Sequence, residues 1–252
     1  EAARQADHVF AITGALRSWL IDQGLPESKV SVLPNGYNPE PMPTDAPDHD
    51  ELAAELGLQD AFVVGYVGSV VFYEGIEIII RAVAEARRRS GRDIRFLLVG
   101  DGADFENVRR FARESGAETF AKLVGRVPHH EVDRYYRLID AFVLARTDLD
   151  ICHVISPLKP LEAMMKGKLL ITSDVRAIEE MVRASDGGAL LFKAGDHAEL
   201  ARRILEAAEN PQRMAGIAER GRNWATNERD WSVLVRNALD ELETRFGTAD
   251  AR

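Results

Sequence analysis

Apolar and polar positions follow two periods along most of the chain. Phe62 to Val67 and Ile94 to Val99 are strand-like apolar runs, each closed by a glycine, Gly68 and Gly100. Between them Ile76, Ile79, Ile80, Val83 and Ala84 recur at i, i+3, i+4, i+7 and i+8, the spacing of a helix with one buried face. The alternation continues: Phe105, Val108 and Ala112 mark a helix and Lys122 to Val124 a strand. Val132, Tyr135, Tyr136 and Ile139 mark a helix, Ala141 to Ala145 a strand, Leu161 to Met165 a helix, then Leu169 to Thr172 and Leu190 to Phe192 two more strands. Asp196 with Glu199 three residues on predicts a capped helix whose stripe is Leu200, Ile204, Leu205 and Ala208. Apolar strands alternating with amphipathic helices predict an α/β, doubly wound parallel sheet covered on both faces.

The ends read differently. His8 to Ile12 and Val30 to Leu33 are apolar, with helical spacing from Gly14 to Gln23 between them. One β-α-β unit cannot bury both faces of its sheet, so residues 1–36 read as the tail of a domain whose bulk lies outside this chain. Five of the ten prolines (Pro34, Pro39, Pro41, Pro43, Pro47) then crowd together, and residues 37–50 read as a stiff, extended linker. Residues 51–228 form the main domain. From 229 to 252 a last helix carries Trp231, Leu234, Val235, Ala238, Leu239 and Leu242 on one face. That stripe packs on its own domain or crosses to a neighbouring one.

Composition narrows the function. With 46% hydrophobic and 29% charged residues, 252 residues describe an ordinary globular protein, and no apolar stretch approaches the ~20 residues of a membrane span. A net charge of −9 argues against a nucleic-acid partner, which requires a basic footprint. The single cysteine excludes an internal disulfide and fits a reducing cytosol, six scattered histidines give no metal pattern, and no secretory leader is visible. Collagen, a disulfide knot, a membrane channel and a histone-like protein are excluded.

In an open parallel sheet, ligands bind beyond the carboxyl ends of the strands. Four turns lie there. Gly68-Ser69 suits a close phosphate, and is equally an ordinary tight turn. Gly100-Asp101-Gly102 completes no dinucleotide fingerprint. Gly125-Arg126-Val127-Pro128 offers Arg126 to a ligand or to a surface acid. Ser156-Pro157-Leu158-Lys159-Pro160-Leu161-Glu162-Ala163-Met164 is the most informative. Two prolines three apart place Pro160 at the first helical position and leave Ser156 to Lys159 as a loop, with free N–H groups on Leu158 and Lys159. Those donors and the Lys159 ammonium suit a diphosphate, and Glu162 in the first turn either accepts two vicinal hydroxyls or serves the helix dipole.

Together these residues resemble the nucleotide-sugar-binding half of a GT-B glycosyltransferase of family 4. The resemblance runs from Ala6-Asp7-His8-Val9-Phe10-Ala11-Ile12 and the Pro34-Asn35-Gly36 linker motif through Gly65-Tyr66-Val67-Gly68-Ser69, Tyr73-Glu74-Gly75, Leu98-Val99-Gly100-Asp101-Gly102 and Gly125-Arg126-Val127-Pro128 to the Ser156–Met164 block. It implies a retaining, metal-independent enzyme that needs no cofactor and uses a UDP- or GDP-linked sugar as donor and a glycan or glycoconjugate as acceptor. It implies that Glu162 holds the donor ribose and that Ser156, Pro157, Leu158 and Lys159 hold diphosphate and sugar. Gly68 and Ser69 would line the diphosphate from the other side, with Arg126 and Val127 flanking the base. Lys159 and Arg126 would stabilise the departing diphosphate. It implies, too, a cytoplasmic protein, peripheral to the inner membrane in its full-length form, whose acceptor half precedes residue 1.

The sequence departs from the family pattern in three places. Ser69 and Glu74 stand where many members carry phosphate-binding cations, and Val154 stands at the family's first motif glutamate. Asp148, Asp150 or His153 would substitute for that glutamate, or the sugar is held differently. Two further readings stay open: a non-catalytic sugar-nucleotide-binding or scaffold module, and a GT-B-fold sugar-nucleotide epimerase.

Overall fold

The computed structural model describes residues 2–38 and 49–247. A short helix α1 (Ala2–Gln5) precedes β1 (Val9–Ala11), α2 (Gly14–Asp22) and β2 (Val30–Val32), and the two strands pair in parallel as a separate two-stranded sheet. Of the segment read as a linker, residues 39–48 lie outside the described residues. At its ends the reading is corrected: Tyr37 bridges Asp230, and His49 and Asp50 already belong to α3 (His49–Leu56), their carboxylate-rich first turn favourable at a helix N-terminus.

The main sheet has six parallel strands. In chain order they are β3 (Phe62–Val67), then β4 (Ile94–Val99) after α4 (Ile76–Ser90), then β5 (Ala121–Gly125) after α5 (Phe105–Glu114), and β6 (Ala141–Leu144) after α6 (Val132–Arg137). Helices α7 (Asp150–Val154) and α8 (Lys159–Met165) lead to β7 (Leu169–Ser173), and α9 (Arg176–Ala184) leads to β8 (Leu190–Phe192). Helices α10 (His197–Glu209), α11 (Pro211–Glu228) and α12 (Trp231–Phe246) close the chain. The spatial order is β5-β4-β3-β6-β7-β8. The chain therefore winds outward from β3 in one direction and then, from β6, in the other, and the two neighbouring central strands define the switch point of a doubly wound sheet.

Both faces are covered, as the apolar runs require. Helices α4 and α10 pack on each other over one face, and α8 and α11 pack on each other and on β7 over the other. Every residue of β6 and β7 is buried. Through the centre runs an aromatic column in which Phe142 stacks on Tyr66 at 6.1 Å and on Tyr136 at 5.9 Å between ring centroids. The predicted cap at α10 is present: Asp196 Oδ1 accepts from the N–H groups of Ala198 and Glu199, both at 2.9 Å.

The last helix shows a further difference. Of its predicted stripe only Leu234 is buried, while Trp231, Val235 and Leu239 are exposed. Its contacts reach the small two-stranded unit. Ser31 donates to Glu241, Arg245 donates to the Ser28 carbonyl at 2.5 Å, and Phe246 meets the His8 ring edge-on at 6.4 Å. Among the described residues, no helix is long and apolar enough to cross a membrane.

Removing the middle of the aromatic column tests the core. Phe142→Ala is expected to lower stability by about 3–5 kcal/mol in urea denaturation, and Leu239→Ala, on the exposed face of α12, by less than about 0.5 kcal/mol.

Candidate functional site

The ends of β3, β4 and β5 are stitched together by main chain. The Gly68 N–H donates to the Val99 carbonyl at 2.9 Å, the Gly100 N–H to the Gly125 carbonyl at 2.7 Å, and the Val70 N–H to the Asp101 carbonyl at 2.8 Å. No side chain fits between these turns. A Cβ on Gly100 (φ +128°) would lie 2.0 Å from the Gly68 oxygen, and one on Gly68 (φ +137°) would lie 2.4 Å from Cε of Lys159. Glycine is thus required at Gly100 by backbone conformation and by space, and at Gly68 by backbone conformation.

The second contact brings the loop before β7 to the switch point. Helix α8 starts at Lys159, so Pro160 is the second helical residue rather than the first as the sequence suggested, and the Glu162 N–H closes the first turn on the Leu158 carbonyl at 2.9 Å. The N–H groups of Leu158 and Lys159 form no backbone hydrogen bond among the described residues. The Lys159 stem crosses Gly68, and its ammonium reaches Glu74 Oε1 at 3.3 Å, 5.6 Å from the Tyr66 ring centroid. Glu74 ends a short 3₁₀ turn (Phe72–Glu74) and is 1% exposed. Its Oε1 also lies 3.5 Å from Arg146 Nε, and its Oε2 lies 3.1 Å from the Tyr66 hydroxyl, which is 2.7 Å from the Ser69 carbonyl. Burial, reinforced by the Glu74 carboxylate, pushes the Tyr66 hydroxyl far above its ordinary range, so it remains a donor.

Glu162 is the contrasting carboxylate. It is half-buried and makes no side-chain hydrogen bond among the described residues, although Lys166 of the next turn is paired with Asp133. Burial raises its carboxyl above the ordinary range, against the opposing pull of Lys166, and the charges acting on it come also from Asp133, His129 and Lys159. It therefore faces the segment after β5 as well as the Lys159 side of the crevice. Arg126, at the β5 end of the same rim, is exposed and without an ion-pair partner among the described residues, with Val127 partly buried beside it. Ser69 is exposed, and Ser156 and Pro157 are partly buried.

His153 is placed differently from its expected role. Its Nδ1 accepts from the Arg176 N–H at 3.1 Å, which leaves the proton on Nε2, 2.5 Å from Asp148 Oδ1. Nδ1 thus joins α7 to the start of α9 and Nε2 ties it to the loop before α7, so both ring nitrogens are engaged. Asp148 is occupied by that contact, and Asp150 is exposed at the first turn of α7. The backbone of Val154 is used instead of a side chain: its carbonyl accepts from Thr13 Oγ1 at 2.6 Å. Thr13 also caps α2, accepting from the Leu16 N–H at 2.9 Å, and Asn35 Nδ2 donates to the Ser156 carbonyl at 2.8 Å. Two residues of the small unit thus clamp the loop that carries Lys159. Asn35 stood inside a quoted motif, while nothing in the sequence pattern singled out Thr13. Beside the clamp a cavity of about 210 Å³ is lined by Thr13, Asn35, Ser156, Pro157, Glu180 and Arg229. Among the described residues, no cluster of three or more His, Cys, Asp or Glu is arranged to hold a metal ion.

A doubly wound sheet with its glycine turns, lysine and open glutamate at the switch point is the Rossmann-like architecture of GT-B glycosyltransferases. The chain belongs to the family Glycosyl transferases group 1, whose profile matches residues 48–224. Among curated relatives it is 28% identical over 167 residues to alpha-D-kanosaminyltransferase of Streptomyces kanamyceticus, covering 66% of this chain and 42% of that protein. It is 23% identical over 246 residues to the GDP-mannose-dependent alpha-(1-6)-phosphatidylinositol monomannoside mannosyltransferase of Mycolicibacterium smegmatis, covering 95% of this chain and 63% of that one. Among solved structures it resembles Anabaena HepE in complex with UDP, with TM-score 0.83, 22% identity, and coverage of 96% of this chain and 65% of that one. Sucrose-phosphate synthase of Thermosynechococcus elongatus gives TM-score 0.79 at 21% identity, covering 98% of this chain and 60% of that one. The chain thus spans between about two fifths and two thirds of the length of these proteins.

The raised Glu162 carboxyl carries a sign that can be checked. Across the interval between the ordinary and the raised pKa the native chain binds more protons than the unfolded one, so stability falls as pH rises through it. Glu162→Gln is therefore expected to melt higher than the wild type at about pH 7.5, with the difference closing toward about pH 4, as followed by scanning calorimetry. A neutral-pH melting point below the wild type's would show that the carboxylate is held by a partner in the native state.

Proposed function

We propose that this chain is the donor-binding half of a retaining, metal-independent glycosyltransferase. The donor is a sugar linked to UDP or GDP, and the acceptor, a glycan or glycoconjugate, is bound by a preceding domain outside this chain. The observation that carries the reading is the pairing of Glu162, a half-buried carboxylate with no hydrogen-bond partner among the described residues, with Lys159 laid across the bare backbone of Gly68 at the switch point. A carboxylate left open in this way suits the two vicinal hydroxyls of a ribose. The glycine turn suits close approach of a diphosphate, and the ammonium stabilises the charge that develops on it as the sugar leaves. Gly68 and Ser69 line one side of the diphosphate, Ser156 to Lys159 the other, and Arg126 and Val127 flank the base. Retention without a protein nucleophile fits the site, because both nitrogens of His153 are committed elsewhere and Val154 supplies no carboxylate. The UDP bound in Anabaena HepE and the GDP-mannose dependence of the mycobacterial relative support a nucleoside-diphosphate sugar without choosing the base. The protein acts in the cytoplasm, where such donors are available, and peripherally at the membrane in its full-length form.

Titration with UDP, GDP, ADP and CDP by calorimetry and thermal shift tests this. One diphosphate is expected to stabilise the wild type in proportion to the logarithm of its saturation, and Glu162→Ala to weaken it by roughly tenfold or more. Equal responses to all four in wild type and variant would remove the donor-site reading.

A further inference from the structure

The buried charges around Glu74 do not balance. One carboxylate, with its side chain 2% exposed, faces two cations, Arg146 at 5% and Lys159 at 18%. Neither cation pairs with a second carboxylate among the described residues. The cluster therefore holds a surplus positive charge where water reaches little of it, a condition that is costly unless an anion completes it. The surplus is available only through Lys159. Arg146 is pinned from the other side, its Nη1 donating to the Ile155 carbonyl at 2.6 Å and its guanidinium stacked 5.3 Å from the Tyr73 ring centroid. Its Nε has no hydrogen-bond partner among the described residues.

Glu74 is itself fixed. The Tyr66 hydroxyl, shared with the Ser69 carbonyl, lies 3.1 Å from Oε2, Arg146 faces Oε1, and the following residue, Gly75, sits so close to β6 that a Cβ there would lie 2.0 Å from the Ala145 oxygen. A free lysine side chain samples many rotamers and loses them on engaging a ligand. Here the Lys159 chain is already laid over Gly68 with its ammonium paired to Glu74 at 3.3 Å, and an ammonium has three donors to offer a ligand.

We propose that Glu74 is a positioning residue for Lys159, holding its ammonium at the Gly68–Ser69 turn so that it meets the diphosphate of the donor. The proposal rests on the donor-site reading above. It gives a use to the acid found where a phosphate-binding cation was expected: the acid does not touch the phosphate but sets the cation that does, and Tyr66 and Arg146 set the acid.

The test is calorimetric titration of this chain with the nucleoside diphosphate that the wild type binds and with the matching nucleoside, which lacks phosphate. Lys159→Ala is expected to weaken the diphosphate by roughly tenfold and the nucleoside by less than about twofold. Glu74→Ala is expected to show the same selective loss, and the double variant no more than the larger single loss, because both changes remove one contact. Glu74→Gln is expected to recover most of the affinity, since its amide oxygen can take the place of the carboxylate oxygen beside the ammonium. Glu74→Asp keeps the charge but retracts it from Lys159, and is expected to lose diphosphate selectively even if the alanine variant fails to fold. Wild-type diphosphate affinity in Glu74→Asp and Glu74→Ala would overturn the proposal. So would an equal loss for the nucleoside, or losses that add in the double variant. A wild type that binds diphosphate and nucleoside alike would instead overturn the donor-site reading, and this proposal with it.

Discussion

The structure depends on how closely three strand-end turns approach one another. Gly100 leaves no space for a side chain above Gly68, and Gly68 leaves none beneath Lys159. Because those turns are bare main chain joined by N–H···O=C bonds, the turns after β3, β4 and β5 present backbone where they meet. The ammonium laid over them and the open carboxylate beside them arrive from the other half of the sheet. Both Lys159 and Glu162 do so from α8, which follows β6, the strand on the far side of the switch point. The division of labour between a backbone wall and a side-chain wall follows from the winding of the sheet.

Within that crevice two carboxylates have opposite environments. Glu74 is almost wholly buried and surrounded by a hydroxyl, a guanidinium and an ammonium. Glu162 is half-buried with no side-chain hydrogen bond among the described residues, and burial pushes its carboxyl upward. Removing the first would unpair charges, whereas neutralising the second relieves a cost in the empty protein. On the proposed donor-site reading Glu162 is kept for what it binds, so stability and ligand affinity are expected to move apart there.

The apolar runs of β3, β4, β6, β7 and β8 were legible in the sequence to within a residue, because strands buried on both faces read as continuous hydrophobic stretches. Helix α9 went unread although Ala177, Ile178, Met181 and Val182 mark one face, and α11 packs largely through small residues, Ala218, Gly221 and Ala225, which carry little hydrophobic signal. At the site, Gly68, Lys159 and Glu162 were legible from motif and spacing. The partners of Glu74 were not, since Tyr66, Arg146 and Lys159 come from three separate elements and only the fold joins them. The same reason hid the engagement of His153 by Arg176 and the clamp from Thr13, both made by residues distant in the chain.

That clamp bears on the order in which the molecule assembles. Thr13 and Val154 are separated by 141 positions and Asn35 and Ser156 by 121. Closing loops of that size costs entropy that short-range contacts do not, so such contacts form late. The sheet can nucleate on β3, α4 and β4, neighbours in sequence, well before the small unit docks. The loop bearing Lys159 is therefore among the last parts to take its final shape. During synthesis, the residues that will lock it leave the ribosome before it does and wait for more than a hundred others before the loop is there to hold.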